Sequence, residues 1–143
     1  MNPLAGRRAR AYLFDALTYL GIAVATVPFG IVAYQIGWGS SRTFVLAVSA
    51  TPPALATILA ASQESGQRQA TPGKIRQGLV VANDDGVPVG LRTTLVRNIV
   101  KIGIPWQLGH AVAIGAAFGG FDDGDPLTIG ATSTWARWSA ACF

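Results

Sequence analysis

Hydrophobic and polar positions fall into long blocks along this chain instead of alternating. An apolar run from about Ala11 to Trp38 is broken near its start by one acid, Asp15. A second run, Phe44 to Ala61, carries no charge, and a third extends from Ile102 to Phe121. Runs of this kind approach or exceed the roughly 20 residues a helix needs to cross a bilayer core. Between the second and third runs, residues 62–101 are polar, and Leu79-Val80-Val81 and Val87-Pro88-Val89 flank Asn83-Asp84-Asp85-Gly86. That pattern predicts two short strands across a Gly-containing turn. The expected fold is an all-α membrane protein with about three transmembrane helices, over 11–38, 44–61 and 102–121, and a short β-hairpin in the 62–101 loop. Residues 122–143 are interrupted by Thr128, Thr132, Ser133, Thr134, Arg137 and Ser139 and read as a divergent or truncated tail.

Composition agrees with a bilayer solvent. Half of the residues are hydrophobic and 13% are charged, against about 25% charged in soluble domains. The net charge of +4 is distributed topologically. Arg7, Arg8 and Arg10 precede the first run, and Arg68, Lys74, Arg76, Arg92, Arg97 and Lys101 lie between the second and third. By the positive-inside rule this makes the N-terminus and the central loop cytoplasmic, in a multi-pass protein of the cell membrane. Basic residues without aromatic interleaving give no nucleic-acid surface. Ala23-Val24-Ala25 resembles a cleavage site, but Asp15 interrupts the would-be signal core and the apolar run continues beyond it, so a retained span is expected.

Site chemistry is sparse. Cys142 has no partner cysteine and His110 no companion at metal-ligand spacing, so neither a metal nor a cofactor is expected. Asp122-Asp123-Gly124-Asp125 lacks the Glu of a calcium loop and reads as a solvated outer loop. Thr71-Pro72-Gly73-Lys74 lacks phosphate-loop spacing, and no nucleophile elbow occurs, so no enzyme activity is expected. Arg8 and Asp15 lie seven residues apart, one helical face, separated by about 10.5 Å along the axis. An acid just inside the apolar layer is a functional-site hypothesis. Asp15 could bind and release a proton or monovalent cation, tuned by Arg8 and relayed by His110. Alternatively, Arg8 and Asp15 form an anchoring pair that sets helix depth, while His110 hydrogen-bonds within the bundle.

Other segments admit structural readings. Pro52-Pro53 bends the second run or breaks it to expose carbonyls. Leu91 to Lys101 reads as an interfacial helix with its basic side against anionic headgroups. Ala111, Gly115 and Gly119 offer a small-residue packing face, on which a homo-oligomer is expected if the chain encloses a pathway.

In order, these features resemble the RDD family of small membrane proteins, named for one arginine and two aspartates. Arg8 and Asp15 match the arginine and first aspartate. Gly66 and Thr71-Pro72-Gly73-Lys74 resemble the family's G-x-T-P-G-K loop, followed by Gly78-Leu79-Val80-Val81, Gly86 and Arg97-Asn98. Lys101, Pro105, Trp106 and His110 resemble the K-x-x-x-P-W-x-x-x-H pattern of one subgroup. The resemblance covers roughly Arg8 to Ala117, so residues 1–121 form the expected RDD-like domain. Members usually continue into another apolar helix and a second aspartate, which the 122–143 tail is expected to lack. The resemblance and the lone acid together imply a transporter module for an ion, a proton or a small solute, with Asp15 at its centre. The alternative is a non-transport module that binds or stabilises a partner protein or lipid.

Overall fold

The computed structural model describes residues 3–141, so Cys142 lies outside the described residues. The first apolar run lies within one continuous helix, α1 (Pro3–Gln35), with Pro28 inside it. A 3₁₀ turn, Trp38–Ser40, leads into α2 (Arg42–Ser49) and then α3 (Thr51–Ser65). Two stretches, Leu4–Gln35 and Arg42–Ser65, are long and apolar enough to cross a membrane. In the most apolar window of the first, 11% is buried within the protein. Leu13, Leu17, Leu20, Val24, Val27 and Ile31 are instead exposed around the helix, which a bilayer, not water, accommodates.

Pro52 and Pro53 leave the helix wound. They occupy the first turn of α3, where the missing N–H groups cost least. The joint residue Ala50 keeps right-handed helical geometry at φ −72°, ψ −17°. The Ser49 carbonyl, whose i+4 donor would have been Pro53, is met from outside the helix by the His110 ring at 3.0 Å.

Between α3 and the next long helix the chain forms a short helix, α4 (Pro72–Arg76), and irregular loops. The expected hairpin does not form. Among the described residues there is no strand, and a single bridge joins Ala82 to Pro88. The turn itself is present, with Gly86 at φ +75° and its N–H bonded to Asn83 O at 2.9 Å. Its ladder fails because the Val81 N–H goes to Gln69 O at 2.8 Å, and because Pro88 has no N–H to donate.

Helix α5 (Leu91–Asn98) passes through a π-helical turn, Ile99–Gly103, into α6 (Ile104–Ala117). Pro105 sits just after that turn, where its missing N–H and ring disfavour a regular register. The third apolar run is thus shorter as a helix than 102–121. Its 14 residues in α6 span about 21 Å, short of the roughly 30 Å hydrocarbon core. Gly119, at φ +72°, ends it, with Gly119 N–H bonded to Ala116 O and Gly120 N–H to Gly115 O.

The expected polar tail folds as α7 (Pro126–Ala141), a 16-residue helix packed on α6. Gly115 is used here: a Cβ at that position would fall on the Thr128 side chain of α7. The small-residue face expected to serve oligomerisation is therefore partly consumed within the chain. Tyr19 of α1, Ala56 and Ala60 of α3 and Ile102 of the π-turn form the buried apolar cluster, with Ile22 and Trp106 against it.

Candidate functional site

Helix α1 buries a narrow stripe of Ala11, Asp15 and Tyr19, spaced by one turn each. Into that stripe the chain lays α4. Asp15 is 5% exposed, and both of its oxygens are occupied: Thr71 Oγ1 donates to Oδ2 at 2.5 Å and the Gly73 N–H to Oδ1 at 2.8 Å. Gly73 is required by closeness, since a Cβ there would fall on the Ala11 carbonyl oxygen.

Arg7 holds the other end of α4. Its guanidinium donates to the Gln77 carbonyl, with Nε at 2.9 Å, and to Gly78 O at 3.4 Å. These carbonyls belong to a left-handed terminus, with Gly78 at φ +61°, its N–H bonded to Ile75 O, and the Leu79 N–H bonded to Lys74 O. Helix α4 therefore runs antiparallel to α1, an acid at its N-terminal end and a cation at its C-terminal end, the arrangement its dipole favours. Arg76 adds a cation–π contact, 4.8 Å above the Phe14 ring.

The expected Arg8–Asp15 pair is absent among the described residues. Arg8 is exposed on a cavity wall, and Arg7, one residue earlier, makes the contacts with the loop.

A second buried acid, which the apolar pattern did not single out, lies beside the first. Glu64 is 1% exposed in the last turn of α3. Lys74 donates to its Oε1, and Arg97 and Asn98 donate to Oε2, Asn98 at 2.7 Å. Asn98 also bonds to Thr94 O at 2.8 Å, and the buried Thr94 hydroxyl reaches Ala61 O at 3.1 Å. These bonds seat α5 on α3 and turn Arg97 inward, where an interfacial helix would have turned it to headgroups. A sequence signal for Glu64 did exist: an acid in the last turn before Gly66 opposes the helix dipole and needs a cation.

Asp15 and Glu64 line one cavity of about 660 Å³, together with Arg7, Arg8, Lys74, Arg97 and Lys101. Of the family-motif loop, Thr71 and Lys74 reach this cavity, Pro72 starts α4, and Gly66 ends α3 in an extended conformation at φ −76°. Lys101 enters it from the π-turn. Its ammonium is pushed below the ordinary lysine value, first by desolvation and then by Arg97 and Lys74, with Arg8 contributing.

His110 is not part of this site. It lines a separate, mainly apolar cavity of about 470 Å³ between α1, α2 and α6. Trp106 Nε1 donates to its Nε2 at 3.1 Å while Nδ1 lies 3.0 Å from Ser49 O, a pattern that suits the neutral Nδ1–H tautomer. Thr57 Oγ1 of α3 and Gln107 Oε1 of α6 are buried without a hydrogen-bond partner. No group of three or more metal-ligating residues occurs among the described residues.

At the opposite end of the bundle Asp125 caps α7. Its Oδ2 accepts from the Thr128 N–H at 2.7 Å, the Thr128 hydroxyl at 2.6 Å and Arg42 Nη2 at 2.6 Å. Asp125-Pro126 is a legible cap followed by an N1 proline, so Asp125 is not merely part of a solvated loop. The Arg42 hydrogen bond, then those from Thr128, hold its carboxyl well below the usual carboxylate range. A depressed acid contributes stability that is present above the unfolded value, about 3.9, and is lost as pH falls through the folded value. Thermal unfolding of the wild type and of Asp125→Asn is therefore expected to differ by a constant amount from pH 7 to pH 5. The difference shrinks in more acid solution, and a gap that closes by pH 5 would contradict the assignment.

Residues 2–129 match the RDD family, about nine-tenths of the chain and both gripping acids included. The chain belongs to the RDD family. Comparison with curated proteins and with solved structures returns no match. With its apolar helices, it is an RDD family membrane protein. Within this match, the Thr71–Lys74 turn is the segment that both buried acids hold, Asp15 through Thr71 and Gly73 and Glu64 through Lys74.

Proposed function

We propose that this RDD protein is a multi-pass module of the cell membrane that moves an ion, a proton or a small solute, with the Thr71–Lys74 turn as its moving part. One observation carries the reading: two buried carboxylates, from two different apolar helices, grip neighbouring residues of one turn in the wall of a charged cavity. Acids are costly in such helices and are found where they handle charge. Protonating Asp15, or drawing Lys74 away from Glu64, would release the turn and couple occupancy of the cavity to its opening. Unpartnered Thr57 and Gln107 offer polar atoms deeper in the bundle. The basic end, with residues 62–101, is cytoplasmic on this reading. Helix α6, with Ile102 and Gly103 before it, supplies a third crossing, and the exposed apolar face of α1 meets lipid, a second copy or a membrane partner.

A second reading, a non-transport module that binds a partner protein or lipid, is favoured by the saturation of both carboxylates: every oxygen has a donor. Cation-driven proton flux in vesicles separates the two. Flux is expected from the wild type and is expected to be lost in Asp15→Asn, which keeps a bond to Gly73 and still inserts. Equal flux from an inserted Asp15→Asn protein would remove Asp15 from the mechanism. No flux from either would favour the binding module.

A further inference from the structure

The cavity that holds Asp15 and Glu64 carries five cations and two acids on its walls. Both acids are already committed. Lys74 and Arg97 are consumed by Glu64, and Arg7 is occupied by the Gln77 and Gly78 carbonyls. That leaves Arg8 on α1 and Lys101 on the π-turn, facing the cavity from different elements with no anionic partner among the described residues. The cations also act on one another: Arg97, Lys74 and Arg8 each disfavour the charged form of Lys101, while Glu64 favours it.

Arg8 and Lys101 are both exposed on this wall, and two like charges facing one cavity favour an anion between them. A small cation would meet a net positive wall instead. The volume, about 660 Å³, is within the roughly 300–1,000 Å³ of small-ligand sites. Arg provides a planar fork and Lys a point charge, the two donors that suit phosphate oxygens. A phosphomonoester carries about −1.5 to −2 at neutral pH, which balances two free cations. Leu79, Val80 and Ile102 give the cavity apolar walls for whatever bears the phosphate.

We propose that this cavity binds a phosphate-bearing anion between Arg8 and Lys101. The phosphate comes either from a free solute or from the headgroup of an anionic lipid. The site goes beyond the transport reading and does not require it, because binding is measured without flux.

The test uses the full chain in phosphatidylcholine nanodiscs, with two probes. Inorganic phosphate is titrated calorimetrically, and retention of phosphatidylglycerol is read by native mass spectrometry in discs containing that lipid. The double variant Arg8→Gln/Lys101→Gln removes neither a latch nor a core contact. Arg68→Gln/Arg92→Gln changes the net charge equally at exposed positions outside the cavity. At least one probe is expected to bind the wild type and the Arg68/Arg92 control alike, and to bind the Arg8/Lys101 variant about tenfold or more weakly, the loss of one to two charge-assisted contacts. Binding of phosphate alone assigns a solute, retention of lipid alone assigns a headgroup, and both support the site. Absence of binding by either probe, or equal weakening in both double variants, overturns it.

Discussion

Glu64→Gln is expected to produce one of the two largest losses of stability. The carboxylate accepts from three donors on two segments, Lys74 at Oε1 and Arg97 with Asn98 at Oε2. An amide keeps one acceptor oxygen and replaces the other with an NH₂ group, which would point at donors. Removing one partner from a buried ion pair costs about 3–5 kcal/mol. The lower part of that range applies here, because the Lys74 and Arg97 side chains are 28% and 29% exposed and regain some water. Denaturation of the detergent-solubilised protein checks this, and a second step separates pairing from packing. Adding Lys74→Met to Glu64→Gln should recover part of the loss, since it removes one of the orphaned cations. A Glu64→Gln protein within about 0.5 kcal/mol of wild type, the range of ordinary surface substitutions, would remove Glu64 from the centre of the site.

Gly73→Ala is expected to be comparably damaging for a steric reason. The added methyl would fall on the Ala11 carbonyl and come within 2.8 Å of Asp15 Oδ1. Both obstacles belong to α1, and backbone cannot step aside as a flexible side chain can. Helix α4 must lift away, losing the Gly73 N–H and Thr71 O–H bonds to Asp15. Overpacking contributes about 1–3 kcal/mol, and leaving a buried carboxylate short of donors about 1–3 more, so a loss near 3 kcal/mol is expected. Gly86→Ala provides the contrast: that glycine has φ +75° but nothing within 4 Å of its Cβ position, so only backbone strain of about 1–2 kcal/mol is incurred. Equal effects at the two positions would mean that the close approach of α4 to α1 contributes nothing particular. Proteolysis within residues 77–90 should also rise in Gly73→Ala and stay low in Gly86→Ala, because only the former undocks the loop.

Asp15 and the Thr71–Lys74 turn stood out along the chain, because an acid in an apolar block and a Pro-Gly turn are anomalies wherever the chain folds. What the anomaly does was not legible. Helical spacing pointed Asp15 at Arg8, whereas its partners come from a turn 56 and 58 residues away. A two-turn separation on one helix is too long for a direct bond, while a packed neighbour can bring donors to any distance. His110 shows the same limit. Its spacing to Trp106 marks a one-turn pair, and the two do bond. Its second contact, with the Ser49 carbonyl, follows from a proline on another helix that leaves that carbonyl free.

Ordered motifs such as Thr71-Pro72-Gly73-Lys74 decided which family the chain resembles, and block patterning decided that it is helical and that its first two runs are long enough for a bilayer. Those properties are sums over neighbouring residues, so local composition carries them. Tertiary structure decided the rest. Pairing of Glu64 with Arg97, Arg7 with Gln77 and Arg42 with Asp125 joins residues 33, 70 and 83 apart, and no period in the chain encodes such distances. The hairpin that residues 79–89 predicted lost its ladder to Gln69, and the polar tail became a helix once Asp125 could cap it and Gly115 could seat it. In each case a local preference yielded to a hydrogen-bond partner or a packing surface that exists only after the chain has folded.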